Sequence, residues 1–180
     1  MSFEPFVTSR LRLRLLEPRD AARLSAYRSD PDVARYQSWT VPYPTSAALE
    51  LIQTAQTRDL TDLGWTQIGV ATLETDALIG DIGFNRVDSS SAEIGFTLAN
   101  DWQGQGIMRE ALEILLRHAI QTGVRRLTAT TDIRNTASQG LLTRLGFHLE
   151  QVLKNSWFED GAYVDEYLYA LELAETASRA

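Results

Sequence analysis

The sequence contains no cysteine, which excludes disulfide bonds, thiolate zinc sites and cysteine redox chemistry. It contains only two histidines, His118 and His148, and their wide separation predicts neither a metal site nor a catalytic triad. No stretch approaches the ~20 apolar residues that cross a bilayer, and the N-terminus lacks the basic-then-apolar pattern of a signal peptide. We therefore expect a soluble, cytoplasmic protein that binds neither metal nor membrane.

Basic residues are in the minority. The chain has 24 Asp and Glu against 17 Lys and Arg, a formal net charge of −7. This excess argues against a nucleic-acid-binding face and is compatible with a basic protein or a polyamine as substrate. With 44% hydrophobic residues, 180 residues can bury one good core. We expect a single domain over residues 1–180, frayed at 174–180 and either monomeric or homodimeric.

Hydrophobic periodicity divides the chain into strands and helices without a repeat or a linker. The predicted strands are 11–16, 65–72, 78–87, 92–98, 127–132, 147–158 and 163–173. The predicted helices are 20–27, with Asp20 as N-cap, 33–36, a helix from Thr45 or Ser46 to about Thr57, 107–122 and 136–145. Turns are predicted at 30–32, 75–77 and 159–161, and 39–44 is an irregular loop because it contains two prolines.

The most informative stretch is residues 102–111, which place two glycines between a strand and a long amphipathic helix. The unpaired N–H groups and partial positive charge of a helix N-terminus form a seat for a phosphate or pyrophosphate. Two common glycine motifs do not fit. A dinucleotide fingerprint needs a third glycine where Arg109 lies, and a phosphate-loop NTPase needs Gly-Lys-Ser/Thr where residues 106–108 read Gly-Ile-Met.

The spacing Gln103-x-x-Gly106-x-Met108 resembles the Q/R-x-x-G-x-G/A motif of GNAT acetyltransferases, with Met108 in place of the last small residue. Further along, a strand leads into a short helix that begins near Asn135 and closes in a Gly-Phe pair, which resembles the second signature of the same family. Glycine after a helix is also a common cap, so it is the pairing of the two signatures that makes the resemblance specific.

The resemblance extends over nearly the whole chain. Segments 8–20, 92–96 and 102–106 are similar to the ribosomal-protein N-terminal acetyltransferases of the Rim type. This implies an α+β fold layered α/β/α, with one mixed, mostly antiparallel sheet of about seven strands flanked by helices. It also implies an N-acetyltransferase that transfers acetyl from acetyl-CoA by direct attack of a primary amine, with the N-terminal α-amine of a protein of the ribosomal type as first choice.

The resemblance further implies which residues bind acetyl-CoA. In the family the glycine loop holds the pyrophosphate, and the end of the preceding strand pairs through its backbone with the pantetheine arm and the acetyl carbonyl. An Asn at the mouth of the next strand and helix holds the pantetheine amide, although a simple N-terminal cap is the alternative. The matching positions are Phe96, Thr97, Leu98, Gln103, Gly104, Gln105, Gly106, Ile107, Met108, Arg109 and Asn135.

Acetyl transfer to an amine needs a neutral nitrogen, a stabilised oxyanion and a proton for the departing thiolate. Glu93 is the candidate base because an alternating strand puts it on one face with Gly95 and Thr97, and its position resembles an acidic site in the Rim-type enzymes. A solvated carboxylate is the alternative. An α-amine with a pKa near ~8 tolerates a weak or water-relayed base, whereas a lysine near ~10.4 costs about 3 to 4 kcal/mol more to deprotonate.

The candidate acid is Ser138, one helical turn from Asn135, and a merely exposed serine is the alternative. Many GNAT enzymes place a tyrosine four residues before the glycine of the Gly-Phe pair, where this chain has Leu142. The missing tyrosine leaves a second hypothesis open, that of a non-catalytic acyl-CoA-binding protein. A small amine, such as a polyamine, an aminoglycoside or an amino-acid derivative, remains an alternative acceptor.

Aromatic residues of the irregular loop and of the final hairpin are candidate walls of the acceptor pocket, because these segments flank the acceptor cleft in similar proteins. For at least two of them core packing is the alternative. They are Trp39, Tyr43, Trp157 and Phe158. Four acidic residues either line the acceptor site or are simply solvated: Asp81, Glu159, Asp160 and Asp165.

Overall fold

The computed structural model describes residues 3–56, 58–159 and 161–173. These residues form eight strands and five α-helices. The strands are β1 (Phe6–Val7), β2 (Leu11–Leu15), β3 (Gly64–Thr72), β4 (Leu78–Arg86), β5 (Ser91–Leu98), β6 (Arg126–Asp132), β7 (His148–Glu159) and β8 (Ala162–Glu172). The helices are α1 (Ala21–Arg28), α2 (Pro31–Ala34), α3 (Thr45–Ala55), α4 (Ile107–Gln121) and α5 (Thr136–Arg144). Within the described ranges no helix is long and apolar enough to span a membrane.

The strands form one mixed sheet in the order β1-β2-β3-β4-β5-β6-β8-β7. Neighbouring strands are antiparallel throughout, except that β5 and β6 are parallel. A parallel pair requires a crossover connection, and α4 supplies it. The predicted α+β fold is confirmed. The sheet has eight strands rather than about seven because β1, only two residues long, is too short to show alternation.

Helices pack on both faces of the sheet. Successive strand residues point to opposite faces. On β4, Asp81 bonds to Tyr27 of α1, whereas the next residue, Ile82, packs in one apolar cluster with Leu112 and Leu115 of α4. A second cluster joins residues of α1 and α3 beneath the other face. The α/β/α layering is therefore confirmed.

Asp20 is the N-cap residue of α1, as predicted, but not through its side chain. Asp20 precedes α1, but its carboxylate makes no capping bond to that helix. It is buried, pairs with the Arg14 guanidinium at 2.7 Å and accepts the Glu17 N–H at 2.8 Å. The carboxylate bonds to the buried Arg14 guanidinium instead and, together with Asp76 at 3.0 Å from Arg14 Nε, compensates that buried charge.

Two other helix starts differ from prediction. The segment 30–32 is not a free turn, because the Asp30 carboxylate accepts the Asp32 N–H at 2.9 Å and so caps α2, which begins at Pro31. Proline suits this first helical position. Helix α3 is preceded by Pro44 rather than capped by Thr45 or Ser46. The predictions for Thr57, Asp160 and 174–180 lie outside the described residues.

Candidate active site

The parallel strands β5 and β6 diverge along their length. They pair only at residues 91–93 against 126–128, although β5 continues to Leu98 and β6 to Asp132. On their other sides both strands stay paired over these lengths, with β4 and β8 respectively. The divergence opens a gap in the middle of the sheet, bordered by strand backbone.

The direction of the backbone groups on β5 follows from one bond. The Ala99 N–H donates to the Ile79 carbonyl on the β4 side at 2.9 Å. Backbone groups of successive strand residues point to opposite edges, so those of Leu98 and Phe96 face the gap. The Gln103 side-chain amide donates to the Leu98 carbonyl at 3.0 Å. Gln103 thereby fixes the following loop against the end of β5.

The loop between β5 and α4 contains two left-handed glycines. Gly104 and Gly106 each have a φ of +73°, a conformation that glycine adopts without strain. Gly106 also precedes α4 as its N-cap, so the unpaired N–H groups of the first turn lie at this loop. Among the described residues, only Arg10 Nη2, at 4.0 Å, comes near a Cβ placed on Gly106, and nothing approaches one on Gly104. The loop leaves room for an anion.

An ion pair and the core hold this loop in place. The Arg10 guanidinium donates to the Glu110 carboxylate at 2.6 and 2.8 Å and to the Gln105 carbonyl at 3.3 Å. Met108 is 5% exposed and packs in the core cluster under α4. A large residue fits where the family motif has a small one because this side chain is directed into the core.

A cleft of about 580 Å³ opens at the gap. Most of the predicted site residues line it: Phe96, Thr97, Leu98, Gln103, Gly104, Gly106, Ile107, Met108, Arg109, Asn135 and Ser138. Gln105 does not, because its side chain turns back to the Asp101 carbonyl at 2.9 Å. The predicted base, Glu93, does not line the cleft either.

The cleft has further walls that the sequence reasoning missed: Asp32, Val33, Tyr36, Gln37, Ala137, Leu141 and Arg144. Helical spacing identifies three of them, since Ala137, Leu141 and Arg144 recur at i, i+4 and i+7 on α5. Arg144 puts positive charge at the cleft, and Arg109 also lines it but is paired with Glu113 at 2.8 Å. No local signal marks the residues in and after α2, because tertiary packing alone brings that segment to the gap.

Asn135 and Ser138 are linked at the start of α5. The Asn135 side-chain oxygen accepts the Ser138 N–H at 3.1 Å, so the capping role of Asn135 is present in the structure. Its amide N–H groups make no bond to the described residues and lie in the cleft wall. Ser138 is half-buried in the same wall. The cap thus also orients two polar side chains toward the cleft.

Glu93 lies where β5 and β6 still pair, opposite Thr128. Its carboxylate accepts a long bond of 3.5 Å from the Asn85 amide. A proton could reach it from the cleft only through a relay, and its role as base stays a prediction. Leu142, at the position of the family tyrosine, is 1% exposed and packs in the core. A tyrosine hydroxyl there would need a buried partner.

Neither reading of Asp81 is right, since it is not solvated and lines neither of the cavities described. It is 1% exposed and accepts bonds from the Tyr27 hydroxyl at 2.5 Å, from Arg28 at 2.6 Å and from the Gln67 amide. Burial, together with the Asp81 charge, raises the pKa of Tyr27. Arg28 lies over the Trp39 and Tyr43 rings, at 4.3 and 5.1 Å from their centroids. These predicted pocket walls instead pack on a buried ion pair.

A second, smaller recess of about 160 Å³ adjoins the cleft and shares Tyr36 and Gln37 with it. Its other walls are Ser38, Asp132, Trp157, Val164 and Glu166. Of the four predicted aromatic walls, Trp157 lines one of these two cavities. Phe158 is exposed and packs edge-to-face against Tyr163, with the ring centroids 5.0 Å apart.

Of the remaining polar residues considered from the sequence, those whose side chains the structure describes line neither cavity. Asp165 binds Lys154 Nζ at 2.6 Å and the Asn155 N–H at 3.0 Å. His118 packs against the Phe6 ring at 4.7 Å, and its burial lowers its pKa. His148 is exposed at the start of β7. The side chains of Glu159 and Asp160 lie outside the described part of the chain.

The glycine loop, the divergent strands and the capped α5 match a known family. Residues 10–148 match the family described as acetyltransferase (GNAT) domain, and the chain belongs to it. It is therefore an acyltransferase of the GNAT N-acetyltransferase class.

Its relatives include ribosomal-protein acetyltransferases. The chain is 34% identical over 178 residues to the uncharacterized N-acetyltransferase p20 of Bacillus licheniformis, covering 97% of this chain and 99% of that protein. It is 43% identical over 98 residues to the ribosomal-protein-serine acetyltransferase of Escherichia coli (strain K12), 53% of this chain and 55% of that protein. The fold matches RimL, a ribosomal L7/L12 α-N-protein acetyltransferase solved with coenzyme A, with a TM-score of 0.83 at 23% identity over 94% of this chain and 98% of that one.

Proposed function

We propose that this enzyme transfers an acetyl group from acetyl-CoA to a primary amine, and that its preferred acceptor is the N-terminal α-amine of a protein of the ribosomal type. The observation that supports acetyl-CoA as the donor is the cleft at the β5–β6 gap. It joins the anion-binding loop before α4 to the edge of β5 that faces the gap. The relatives that acetylate ribosomal proteins support the acceptor.

Groups in the cleft suit the pyrophosphate and the pantetheine arm of acetyl-CoA. The N–H groups at residues 104–109 suit the pyrophosphate, and Arg144 supplies positive charge. The backbone of Phe96 and Leu98 suits the amides of the pantetheine arm, which would extend β5 as an added strand does. The Asn135 amide is placed to hold a pantetheine carbonyl. When bound, acetyl-CoA supplies the activated thioester.

The remaining chemistry is proton transfer by this chain's own residues. Of the hydroxyl groups in the cleft wall, which include those of Tyr36 and Thr97, we assign Ser138 as the acid: it gives its proton to the leaving sulfur and is reprotonated by water. Glu93, outside the cleft lining, accepts the proton of the amine through water. With no cysteine available as a nucleophile, we propose direct attack by the amine. A weak, relayed base suits an α-amine, of which roughly a fifth is already neutral near pH 7.4.

Mass spectrometry of a peptide that carries a free N-terminus and one internal lysine tests this proposal. We expect acetylation of the N-terminus first, at a rate that rises with pH through the pKa of the α-amine. A matched peptide with a blocked N-terminus is the control and should stay largely unmodified. Comparable acetylation of lysine or of a polyamine would contradict the preference for a protein N-terminus and favour a small amine as the acceptor. If the protein releases no CoA with any amine, the hypothesis of a non-catalytic acyl-CoA-binding protein is the one that remains.

A further inference from the structure

The second recess lies beside the cleft. The two cavities share Tyr36 and Gln37, which follow α2. At about 160 Å³ the recess is smaller than the ~300 Å³ at which whole-ligand sites begin, so it suits one side chain or one end of a ligand. Its position makes it a subsite for a molecule whose other end reaches the cleft.

Two carboxylates line the recess side by side, since Asp132 of β6 pairs in register with Glu166 of β8. The charge of Asp132 is already compensated. Arg134 donates to it from the backbone N–H at 2.7 Å and from its guanidinium at 2.9 and 2.5 Å. These hydrogen bonds from Arg134 lower the pKa of Asp132. Asp132 therefore contributes little free negative charge to a ligand.

Glu166 is different. It is half-buried, and among the described residues its carboxylate has no hydrogen bond and no ion pair. Two basic residues of neighbouring segments are paired elsewhere: Arg134 is bound to Asp132, and Lys154 is bound to Asp165. One uncompensated negative charge thus remains in the wall of the recess.

Aromatic rings complete the recess. Trp157 follows an irregularity in the pairing of β7 and β8 between Leu153 and Trp157, which Asp165 holds in place through Lys154 and the Asn155 N–H. Tyr36 forms another wall and already has the Arg134 guanidinium 5.6 Å from its ring centroid. The Tyr36 ring is thus already engaged by a cation, whereas the exposed Trp157 indole can attract one and so reinforces the preference set by Glu166.

We propose that the acceptor carries a second cationic group, an ammonium or a guanidinium, which Glu166 and Trp157 bind in this recess while the reacting amine lies in the cleft. This rests on the proposed function and defines its acceptor further. The cation comes either from a basic side chain next to a protein N-terminus or from the distal ammonium of a diamine. Glu166 is the specificity-determining residue.

Calorimetry on the enzyme saturated with CoA tests the recess without turnover. The probes are N-acetylated product peptides that begin Ac-Ser-Lys, Ac-Ser-Ala or Ac-Ser-Glu, and monoacetylated putrescine set against N-butylacetamide, which lacks its ammonium. We expect the cationic ligand to bind about tenfold more tightly than its neutral match. Glu166→Gln should remove this preference, and Glu166→Lys should favour the Ac-Ser-Glu peptide. Glu74→Gln removes an equal charge at the exposed β3–β4 turn and should change nothing.

Rates of CoA release with the unacetylated forms of the same ligands separate the two proposals. The ligand type that shows a Glu166-dependent preference, peptide or diamine, identifies the source of the cation. Acetylation without any preference for a cationic acceptor would overturn the role of the recess and leave the proposed function standing. A Glu166→Gln variant that binds all ligands equally less well would show a structural role and overturn the inference. Absence of CoA release with every amine would refute the proposed function, whereas the calorimetry would still decide the recess.

Discussion

The side-chain amide of Gln103 donates to the carbonyl oxygen of Leu98 at 3.0 Å, tying the glycine loop to the end of β5. Both residues line the cleft, so this bond sets the loop against the strand edge. We predict that Gln103→Ala lowers acetyl-CoA affinity about three- to tenfold, as the loss of one neutral hydrogen bond implies. Calorimetric titration with acetyl-CoA measures it. Gln105→Ala is the matched control, since that side chain bonds to Asp101 outside the cleft, and an equal loss in both variants would contradict the assignment.

Gly106 gives a second prediction. Gly106→Val should weaken acetyl-CoA binding at least about tenfold, because a branched side chain would occupy the space left above the loop N–H groups. The strain of a φ of +73° should also cost roughly 1–2 kcal/mol of stability. Gly161→Val, at a φ of +83° in the final hairpin turn, is the control for strain alone. Unchanged affinity in a folded Gly106→Val protein would place the phosphates elsewhere.

The proton-transfer residues are tested by kinetics. Ser138→Ala and Glu93→Gln should each lower kcat by about 10²-fold, at the lower end of general acid–base contributions, with little change in acetyl-CoA affinity. Thr143→Ala removes an exposed hydroxyl from the same helix as Ser138 and should leave kcat unaltered. If both variants keep full turnover, the two residues are structural and the protons move through water.

The buried Asp81–Arg28 pair predicts a large effect on stability. Asp81→Asn leaves the Arg28 charge, 8% exposed, without its counter-charge and should destabilise the fold by about 3–5 kcal/mol. Glu172→Gln breaks an exposed pair with Arg126 and should cost no more than about 1 kcal/mol. Urea denaturation of the three proteins compares them. Equal midpoints for both variants would show that the buried pair contributes no more than a surface one.

His118 predicts a pH dependence of stability. Burial lowers its pKa in the folded state, so the unfolded chain binds its proton more readily. The neutral ring contributes fully above about pH 6.5, and stability is lost as the pH falls from there through the folded pKa. His118→Phe, which keeps a ring against Phe6, should lose less stability than wild type between pH 7.5 and 5.5. Denaturation midpoints at both values measure the difference, and parallel losses would exclude the histidine as the cause.

The sequence predicts best those strands and helices in which apolar residues recur at a regular spacing. The start of α4 at Ile107 and the end of β5 at Leu98 match prediction because alternation, paired glycines and helical spacing agree there. The helix start at Pro31 was missed because a proline after Asp is typical of a turn as well as of a capped helix.

Long-range placement was beyond the sequence pattern. The sequence around Asp81 shows no hint of burial, since its partners Tyr27 and Arg28 lie on a different element and only the packing of α1 on β4 brings them together. The recess at Glu166 likewise depends on the register of β6 with β8 and on the irregular pairing of β7. Register over such separations is a tertiary property.

The divergence of β5 and β6 makes the molecule two half-sheets, β1–β5 and β6–β8, joined along the sheet only by the hinge at residues 91–93 and 126–128. Because so few pairs join them, we expect the two half-sheets to move relative to each other. A ligand bound in the cleft between the two half-sheets would restrain that motion, because it contacts both of them. Resistance to proteolysis would then increase with the fraction of protein that has a ligand in the cleft. The lifetime of the protein in a cell would follow the supply of its own substrate.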